Sequence, residues 1–359
     1  MARLTMVEAV REALRAEMRR DPRVWALGED LSVGGIYDQY AGLVDEFGTG
    51  RIVSTPISEA ALIGVAVGAA LVGTRPVVEM RMADFALCAM DELVNQAAKV
   101  RYMSGGQGSA PIVVRMPQGI SGNSAAQHSQ TLESWYMHVP GLVVLAPATP
   151  ADAAGLLVAA IRCEDPVVFL EPRACYDLAG EVPDGYAAIE IGKARTARRG
   201  RDLTLVAWSS AVSAAMTAAE EAAGEGIDVE VIDLRSLWPW DAAAVQASVA
   251  RTGRLLVAQE SVQTAGVGAE ILASTVEALA CERRIAVRRL GAPRVPAPYS
   301  PPLEDALKLT CGRILAAIRA LGAQPADRAV DAPLPASGRR PADPDRDPGV
   351  RRLANGAGA

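Results

Sequence analysis

Three side chains in this sequence are placed for chemistry: a carboxylate opening an apolar helix, a histidine behind a glycine loop, and an aromatic between them. Glu59 closes the segment Thr55-Pro56-Ile57-Ser58-Glu59 and leads into Ala60-Ala61-Leu62-Ile63-Gly64-Val65-Ala66-Val67-Gly68-Ala69-Ala70. Thr followed by Pro reads as a helix start, the hydroxyl capping free amides and the proline suiting the first turn. The helix beyond is almost all small or apolar, so the pattern buries it and leaves Glu59 as its one charge. Such a carboxylate either complements the helix dipole or is held for chemistry, because an unpaired buried charge is expensive. The residues alone leave both readings open.

The chain has only two histidines. His128, in Gln127-His128-Ser129-Gln130, follows the small, flexible loop Gly119-Ile120-Ser121-Gly122-Asn123-Ser124. A histidine at a loop exit just ahead of a helix suits proton transfer; the alternative is a purely local hydrogen bond. His138, beside Val139-Pro140-Gly141 at a helix end, reads as structural. Phe85 opens a long helical pattern after Met82-Ala83-Asp84, and core packing accounts for it by default.

Gly266-Val267-Gly268 lacks the third glycine of a dinucleotide fingerprint, and Gly105-Gly106 ends a helix, so neither is a phosphate cradle. No Walker-type loop is present, nor a Gly-Asp-Gly element with the downstream Asn that holds a magnesium diphosphate. If Glu59, Phe85 and His128 form an active site, it is half a site, completed by another chain.

The elements that must position these residues are those of an α/β protein. With 359 residues the chain has room for two domains, and it is 50% hydrophobic but only 4% aromatic, a profile that suits buried parallel sheets between helices. The net charge of −6 argues against nucleic acid as the main partner. Cys88, Cys163, Cys175, Cys281 and Cys311 are scattered without a Cys-x-x-Cys pair, which points to a reducing, cytoplasmic setting. No apolar run has membrane-spanning length, and Arg11–Arg20 has the Glu/Arg spacing of a folded helix.

Strands are expected at Arg75–Met80, Pro111–Met116, Leu142–Pro147 and Pro166–Glu171. Helices are expected at Phe85–Met103, around Ser129–Met137, and at Ala151–Cys163, where Thr149-Pro150 repeats the cap-then-proline start. After a Gly- and Arg-rich connection at Gly192–Arg201, a second set follows: strands at Asp202–Trp208, Ile227–Leu234, Gly253–Glu260 and Arg284–Leu290, with helices at Ala211–Gly224, Asp241–Arg251, Gly268–Leu279 and Leu303–Leu321. This alternation predicts two parallel or mostly parallel sheet domains flanked by helices, over residues 1–190 and 200–322. Residues 323–359, rich in Pro, Arg and Asp, read as a disordered tail.

Seven motifs in order carry a resemblance: Gly28-Glu29-Asp30, Thr55–Glu59, Arg75-Pro76-Val77-Val78-Glu79, Tyr102-Met103-Ser104-Gly105-Gly106, Gln127-His128-Ser129-Gln130, His138-Val139-Pro140-Gly141-Leu142 and Pro298-Tyr299-Ser300-Pro301-Pro302-Leu303. With them the chain resembles the beta subunits of the thiamine-diphosphate-dependent 2-oxo acid dehydrogenases, the decarboxylating component of the pyruvate, branched-chain and acetoin dehydrogenase complexes. The resemblance covers roughly residues 4–321. It implies a transketolase-like fold, a pyrimidine-binding domain followed by a transketolase C-terminal domain.

Glu59 matches the glutamate that bonds the cofactor's aminopyrimidine ring, Phe85 the aromatic that stacks on it, and Ile57 falls in the same cofactor-binding motif. His128 matches the histidine contributed near the substrate and the incoming lipoyl arm. The resemblance further implies an alpha subunit holding the diphosphate and magnesium, an α2β2 heterotetramer, and a lipoyl-bearing acyltransferase as acceptor. Some members hold a structural potassium ion on backbone carbonyls; the matching positions are Ile112, Ala160, Ile161, Cys163 and Asp165, with Cys163 standing where Asp is usual.

Other departures are Ser54, where Asp often precedes the Thr-Pro, Arg81, where the position is often apolar, and Gln259. Arg81 pairs either with a carboxylate or with the alpha subunit. The Ala83-Asp84-Phe85 and Phe169–Arg173 elements look closer to branched-chain and acetoin enzymes, and Thr55–Glu59 to pyruvate enzymes. Oxidative decarboxylation of a 2-oxo acid therefore competes with acetoin cleavage, and outside the enzyme class with a catalytically silent scaffold subunit.

Overall fold

Valines set the first sheet. Val77 lies opposite Val113, Val113 opposite Val167, and Val167 opposite Val143, all in parallel register. β-branched side chains buried on both faces are what a central parallel strand accommodates best. The computed structural model describes residues 1–281 and 284–324. Within them the strands Val24–Gly28, Ile52–Ser54, Arg75–Glu79, Val113–Gln118, Val143–Leu145 and Val167–Pro172 form one parallel array. A seventh strand, Ser236–Trp238, closes one edge antiparallel to Val143–Leu145. It arrives from the second half of the chain, which no local pattern foretells.

The second sheet has the order Ala286–Ala292, Arg254–Val262, Leu203–Ala207, Val229–Asp233, Arg195–Arg198; only the last strand is antiparallel. A two-stranded ribbon pairs Ala2–Thr5 with Ala179–Val182. Both sheets lie in one compact unit, Met1–Arg328. One apolar core runs through both, joining Val114 and Leu170 of the first sheet to Val206, Trp208 and Val257 of the second.

Several helix boundaries follow cap chemistry. Thr5 accepts from the Glu8 amide while Glu8 Oε2 accepts from the Thr5 amide, a capping box that starts Met6–Arg20. Thr149 Oγ1 accepts from the Asp152 amide and starts Pro150–Arg162, as its sequence implies.

Thr55-Pro56 does not do the same. The helix begins at Glu59, with Ser58 at the cap position and no side-chain cap, while the Thr55 amide donates to the Gly28 carbonyl at 2.9 Å. Nor is that helix buried all round: Ala61, Gly64, Val65, Gly68, Leu71 and Val72 are exposed along one stripe. The expected long helix at Phe85–Met103 is instead a 3₁₀ stretch, a π-helical stretch at Glu92–Ala97 and a short α-helix, Val100–Met103. Likewise Leu303–Leu321 is two helices, Pro301–Leu307 and Cys311–Gly322, and only Glu133–Met137 is α-helical around Ser129–Met137. The expected tail lies outside the described residues, apart from Ala323 and Gln324.

The widened π turn lies where the Gly141 backbone approaches so closely that a Cβ would sit 1.9 Å from the Ala98 carbonyl oxygen. Gly141 also has a φ of +100°. Gly141→Ala combines a left-handed strain with a backbone clash and is expected to cost at least about 2–3 kcal/mol. A chemical denaturation midpoint equal to wild type would contradict this.

Candidate functional site

The parallel strands of the first sheet end on one rim, where the loops after Gly28, Ser54 and Glu79 meet. This is the crevice at the carboxyl ends of strands where open α/β sheets bind ligands. Gly28 permits the convergence: a Cβ there would lie 2.8 Å from both the carbonyl oxygen and the Cβ of Glu79. The next residues, Glu29 and Asp30, then turn over the rim.

A cavity of about 630 Å³ opens there, lined by Glu29, Asp30, Thr55, Pro56, Ile57, Glu59, Arg81 and Phe85. Its size is that of a small-molecule site. Glu59 and Phe85 are half-buried and Ile57 stands at the lip, 76% exposed. No hydrogen bond from the described residues reaches the Glu59 carboxylate. Thr55 Oγ1 is buried in the wall without a partner among the described residues, so the lining holds one unused hydroxyl and one unused carboxylate beside the apolar side chains of Pro56, Ile57 and Phe85.

The electrostatics favour a cation or a hydrogen-bond donor. Three carboxylates face one guanidinium, and Arg81 Nη1 bonds Asp30 Oδ2 at 2.7 Å with Glu29 Oε2 at 3.7 Å. Burial pushes the Glu29 carboxyl up; Arg81 opposes that and the Glu59 and Asp30 charges reinforce it. Arg81 thus takes a carboxylate of its own chain. Ser54 points elsewhere, its hydroxyl bonded to Ser32 Oγ at 2.9 Å.

His128 reaches the same place. Its ring meets Phe85 edge-on, centroids 5.1 Å apart at 88°. The two segments are stapled one residue away, where Asp84 Oδ1 accepts from the amide and Nε2 of Gln130 at 3.3 and 2.9 Å. Glu59, Phe85 and Ile57 therefore line one cavity, and His128 sits against its aromatic wall. His138 does not belong to it; it caps Glu133–Met137, its amide donating to the Ser134 carbonyl. Gln259 is buried away from the cavity, bonded to Ser261 Oγ at 2.6 Å and to the Gly268 amide at 2.8 Å.

The five carbonyl positions Ile112, Ala160, Ile161, Cys163 and Asp165 lie at the opposite end of the sheet. There Arg75 Nη1 donates to the Ile161 and Cys163 carbonyls at 2.9 and 3.0 Å. The Ala160 and Ile112 carbonyls accept from the amides of Cys163 and Val167, and the Asp165 side chain pairs with Arg101. Each carbonyl keeps a second lone pair, so a cation at this corner would share two of its ligands with a guanidinium.

The residues that fix the loop before His128 are chiefly Arg173 and Glu260; Arg173 ends the Phe169–Arg173 element noted for substrate, but nothing in the sequence ties either residue to that loop. Glu260 is 140 residues from the amide it binds.

Residues 2–177 match the transketolase pyrimidine-binding domain and residues 192–314 the transketolase C-terminal domain. The chain is 46% identical over 84% of its length, and 81% of the relative's, to pyruvate dehydrogenase E1 component subunit beta-2, mitochondrial, of Oryza sativa subsp. japonica. It is 39% identical to the 2-oxoisovalerate dehydrogenase subunit beta of Bacillus subtilis (strain 168), over 89% of this chain and 99% of that one. It is 40% identical to the acetoin:2,6-dichlorophenolindophenol oxidoreductase subunit beta of Cupriavidus necator, over 89% and 98%. Among solved structures, one described as a split gene transketolase, inactive beta4 tetramer, superposes with a TM-score of 0.73 at 24% identity, covering 89% of this chain and 98% of that one.

Proposed function

We propose, from the premise that this chain belongs to the family of 2-oxo acid and acetoin dehydrogenase beta subunits with transketolase pyrimidine-binding and C-terminal domains, that it is the beta subunit of a decarboxylating 2-oxo acid dehydrogenase, using thiamine diphosphate shared with an alpha subunit. The observation that carries this is the cavity lined by a half-buried carboxylate with no partner among the described residues and by an aromatic, Phe85, against whose ring His128 packs edge-on. Thiamine diphosphate, when bound, supplies the electron sink for decarboxylation. The lining suits it, with Phe85 and Ile57 as apolar faces for a flat ring and an excess of carboxylates for its positive charge.

Each residue then has a role. Glu59 holds a proton at the pyrimidine ring nitrogen. Phe85 fixes the ring plane and excludes water from that bond. His128, against Phe85, moves a proton at the substrate oxygen or the acceptor thiol during acyl transfer to lipoyllysine. Residues 1–190 and 200–322 would serve as the two domains, a division the matched segments support.

The site is half a site in this reading. The exposed Ala61, Gly64, Val65, Gly68, Leu71 and Val72 stripe continues from Glu59 along the same helix, and a partner covering it would also complete the cavity. The alpha subunit of an α2β2 heterotetramer fills that role and holds the diphosphate and magnesium. Potassium on the carbonyls of Ile112, Ala160, Ile161, Cys163 and Asp165, beside Arg75, is a structural part of the proposal. No helix of the described residues is long and apolar enough to cross a membrane, and a cytoplasmic location rests on the five free thiols.

Co-expression with a candidate alpha subunit, followed by a panel of pyruvate, branched-chain 2-oxo acids and acetoin with an artificial electron acceptor, tests the reading. Turnover that requires both thiamine diphosphate and the alpha chain is expected. Its absence with every partner would favour the silent scaffold, and a clear preference for acetoin would move the substrate to the competing reaction. Thermal denaturation of the same assembly in sodium instead of potassium should give a lower midpoint; no difference removes the ion.

A further inference from the structure

The loop between the strand Val113–Gln118 and His128 runs through backbone that side chains avoid. Gly119, Gly122, Asn123 and Ala125 have φ of +96°, +68°, +52° and +62°. Left-handed backbone at Asn123 and Ala125 is strained and persists only where its surroundings enforce it.

Two charged groups supply the enforcement. Arg173, directly after the strand Val167–Pro172, is buried and donates from Nη2 to the carbonyls of Gly119 at 2.7 Å and His128 at 2.5 Å, and from Nη1 to Ser124 Oγ at 3.2 Å. From the second sheet, Glu260 accepts the Ile120 amide at 2.7 Å and the Ser210 hydroxyl. The fit is tight, since a Cβ on Gly119 would come within 2.8 and 2.9 Å of the two Glu260 oxygens. Charge-assisted bonds of this kind are the strong ones available to a loop. Neither residue lines the cavity; the contacts both make are to the loop.

The His128 ring takes no hydrogen bond from the described residues; its place against Phe85 is set by the backbone that carries it. We propose that Arg173 and Glu260 are positioning residues, clamping the Gly119–His128 loop from opposite sheets so that His128 is held over the cavity mouth. The proposal rests on the catalytic reading of His128 given above. It also ties the second sheet to the chemistry: a shift of Arg254–Val262 relative to the first sheet would be felt at His128 through one carboxylate.

The test uses the assembled alpha–beta enzyme with Glu260→Gln, Arg173→Met, His128→Ala and the two combinations with His128→Ala. Each clamp variant is expected to lower kcat for acyl transfer to a lipoyl domain about tenfold or more, with KM for the 2-oxo acid within about twofold. In the His128→Ala background the clamp variants should add less than about twofold, because residues acting through one group are not additive. Hydrogen exchange read by mass spectrometry should rise about tenfold or more in the peptide over residues 119–128 and stay unchanged in the flanking strands.

Losses that multiply with His128→Ala, or unchanged exchange in the loop, would overturn the proposal. If the wild-type assembly shows no thiamine-dependent turnover, the functional reading fails by itself, and loop exchange still decides whether the clamp exists.

Discussion

Glu59→Gln is expected to lower thiamine-dependent turnover of the assembled enzyme by about 10²-fold or more while leaving assembly intact. Glutamine keeps the shape of the side chain but cannot hold and return a proton, and positioned acid–base groups contribute roughly 10²–10⁴-fold. The structure makes the substitution clean. The Glu59 carboxylate takes no hydrogen bond from the described residues and faces the cavity, so its removal orphans no buried group. What stability it carries comes from an anion in the first turn of Glu59–Leu71, worth about 0.3–1 kcal/mol. Activity should therefore fall far more than the thermal midpoint. Dye reduction driven by a 2-oxo acid, with sedimentation to verify assembly, measures both, and full retention of turnover would take Glu59 out of the mechanism.

Glu59 stood out in the sequence because the information is local, one acid at the head of an apolar helix, whereas Phe85 read by itself as core packing and His128 as a local hydrogen bond or a proton carrier, and both gained a role only from the resemblance. Four strands of the first sheet were legible for a similar reason, since runs such as Val77-Val78 and Val167-Val168 have one good environment, whereas Val24–Gly28 and Ile52–Ser54, which carry two of the rim loops, were not expected. Thr55-Pro56 misled because the same cap-and-proline signature that starts a helix at Thr149 is used at Thr55 to close a rim, its amide bonded to Gly28. Nothing between Phe85 and Met103 breaks a helix; the departure comes from a tertiary contact at Ala98, made by a glycine forty-three positions on. The strand Ser236–Trp238 and the grip of Arg173 and Glu260 on the His128 loop depend on pairings across the chain, which no local period records.

A second large effect is expected beneath the cavity, in a buried cluster the chemistry does not use. Arg115 is fully buried and forks onto Glu171, Nε to Oε1 at 2.6 Å and Nη2 to Oε2 at 3.1 Å. Its Nη1 donates to Tyr40 Oη at 2.8 Å and lies 3.6 Å from Glu79 Oε2. Tyr40 and Gln39 donate to Glu79, and Tyr176 donates to Glu171. One buried guanidinium thus serves two buried carboxyl groups. Arg115→Met leaves Glu171 buried and unpaired, and breaking a buried pair this way costs about 3–5 kcal/mol, a loss of roughly 4–7 °C in thermal midpoint for a protein of this size.

The same cluster predicts the opposite outcome at its other end. Burial pushes the Glu79 carboxyl up to about 7, with Arg115 opposing and Glu171 reinforcing the shift. A carboxyl whose folded pKa is raised binds a proton on folding, so its contribution is complete below about 4.5 and is lost as the pH rises through about 7. Burial pushes Glu133 up to about 7 as well, and Asp233 up to about 6, so the wild-type midpoint should decline from about pH 5 to about pH 8. Glu79→Gln is neutral throughout and can keep the bond from Gln39 on its oxygen while its amide nitrogen donates to Tyr40 Oη, so its midpoint should be flatter with pH and at or above wild type near pH 8. A Glu79→Gln curve parallel to wild type would mean that Glu79 is ionised in the folded protein, with Arg115 outweighing burial.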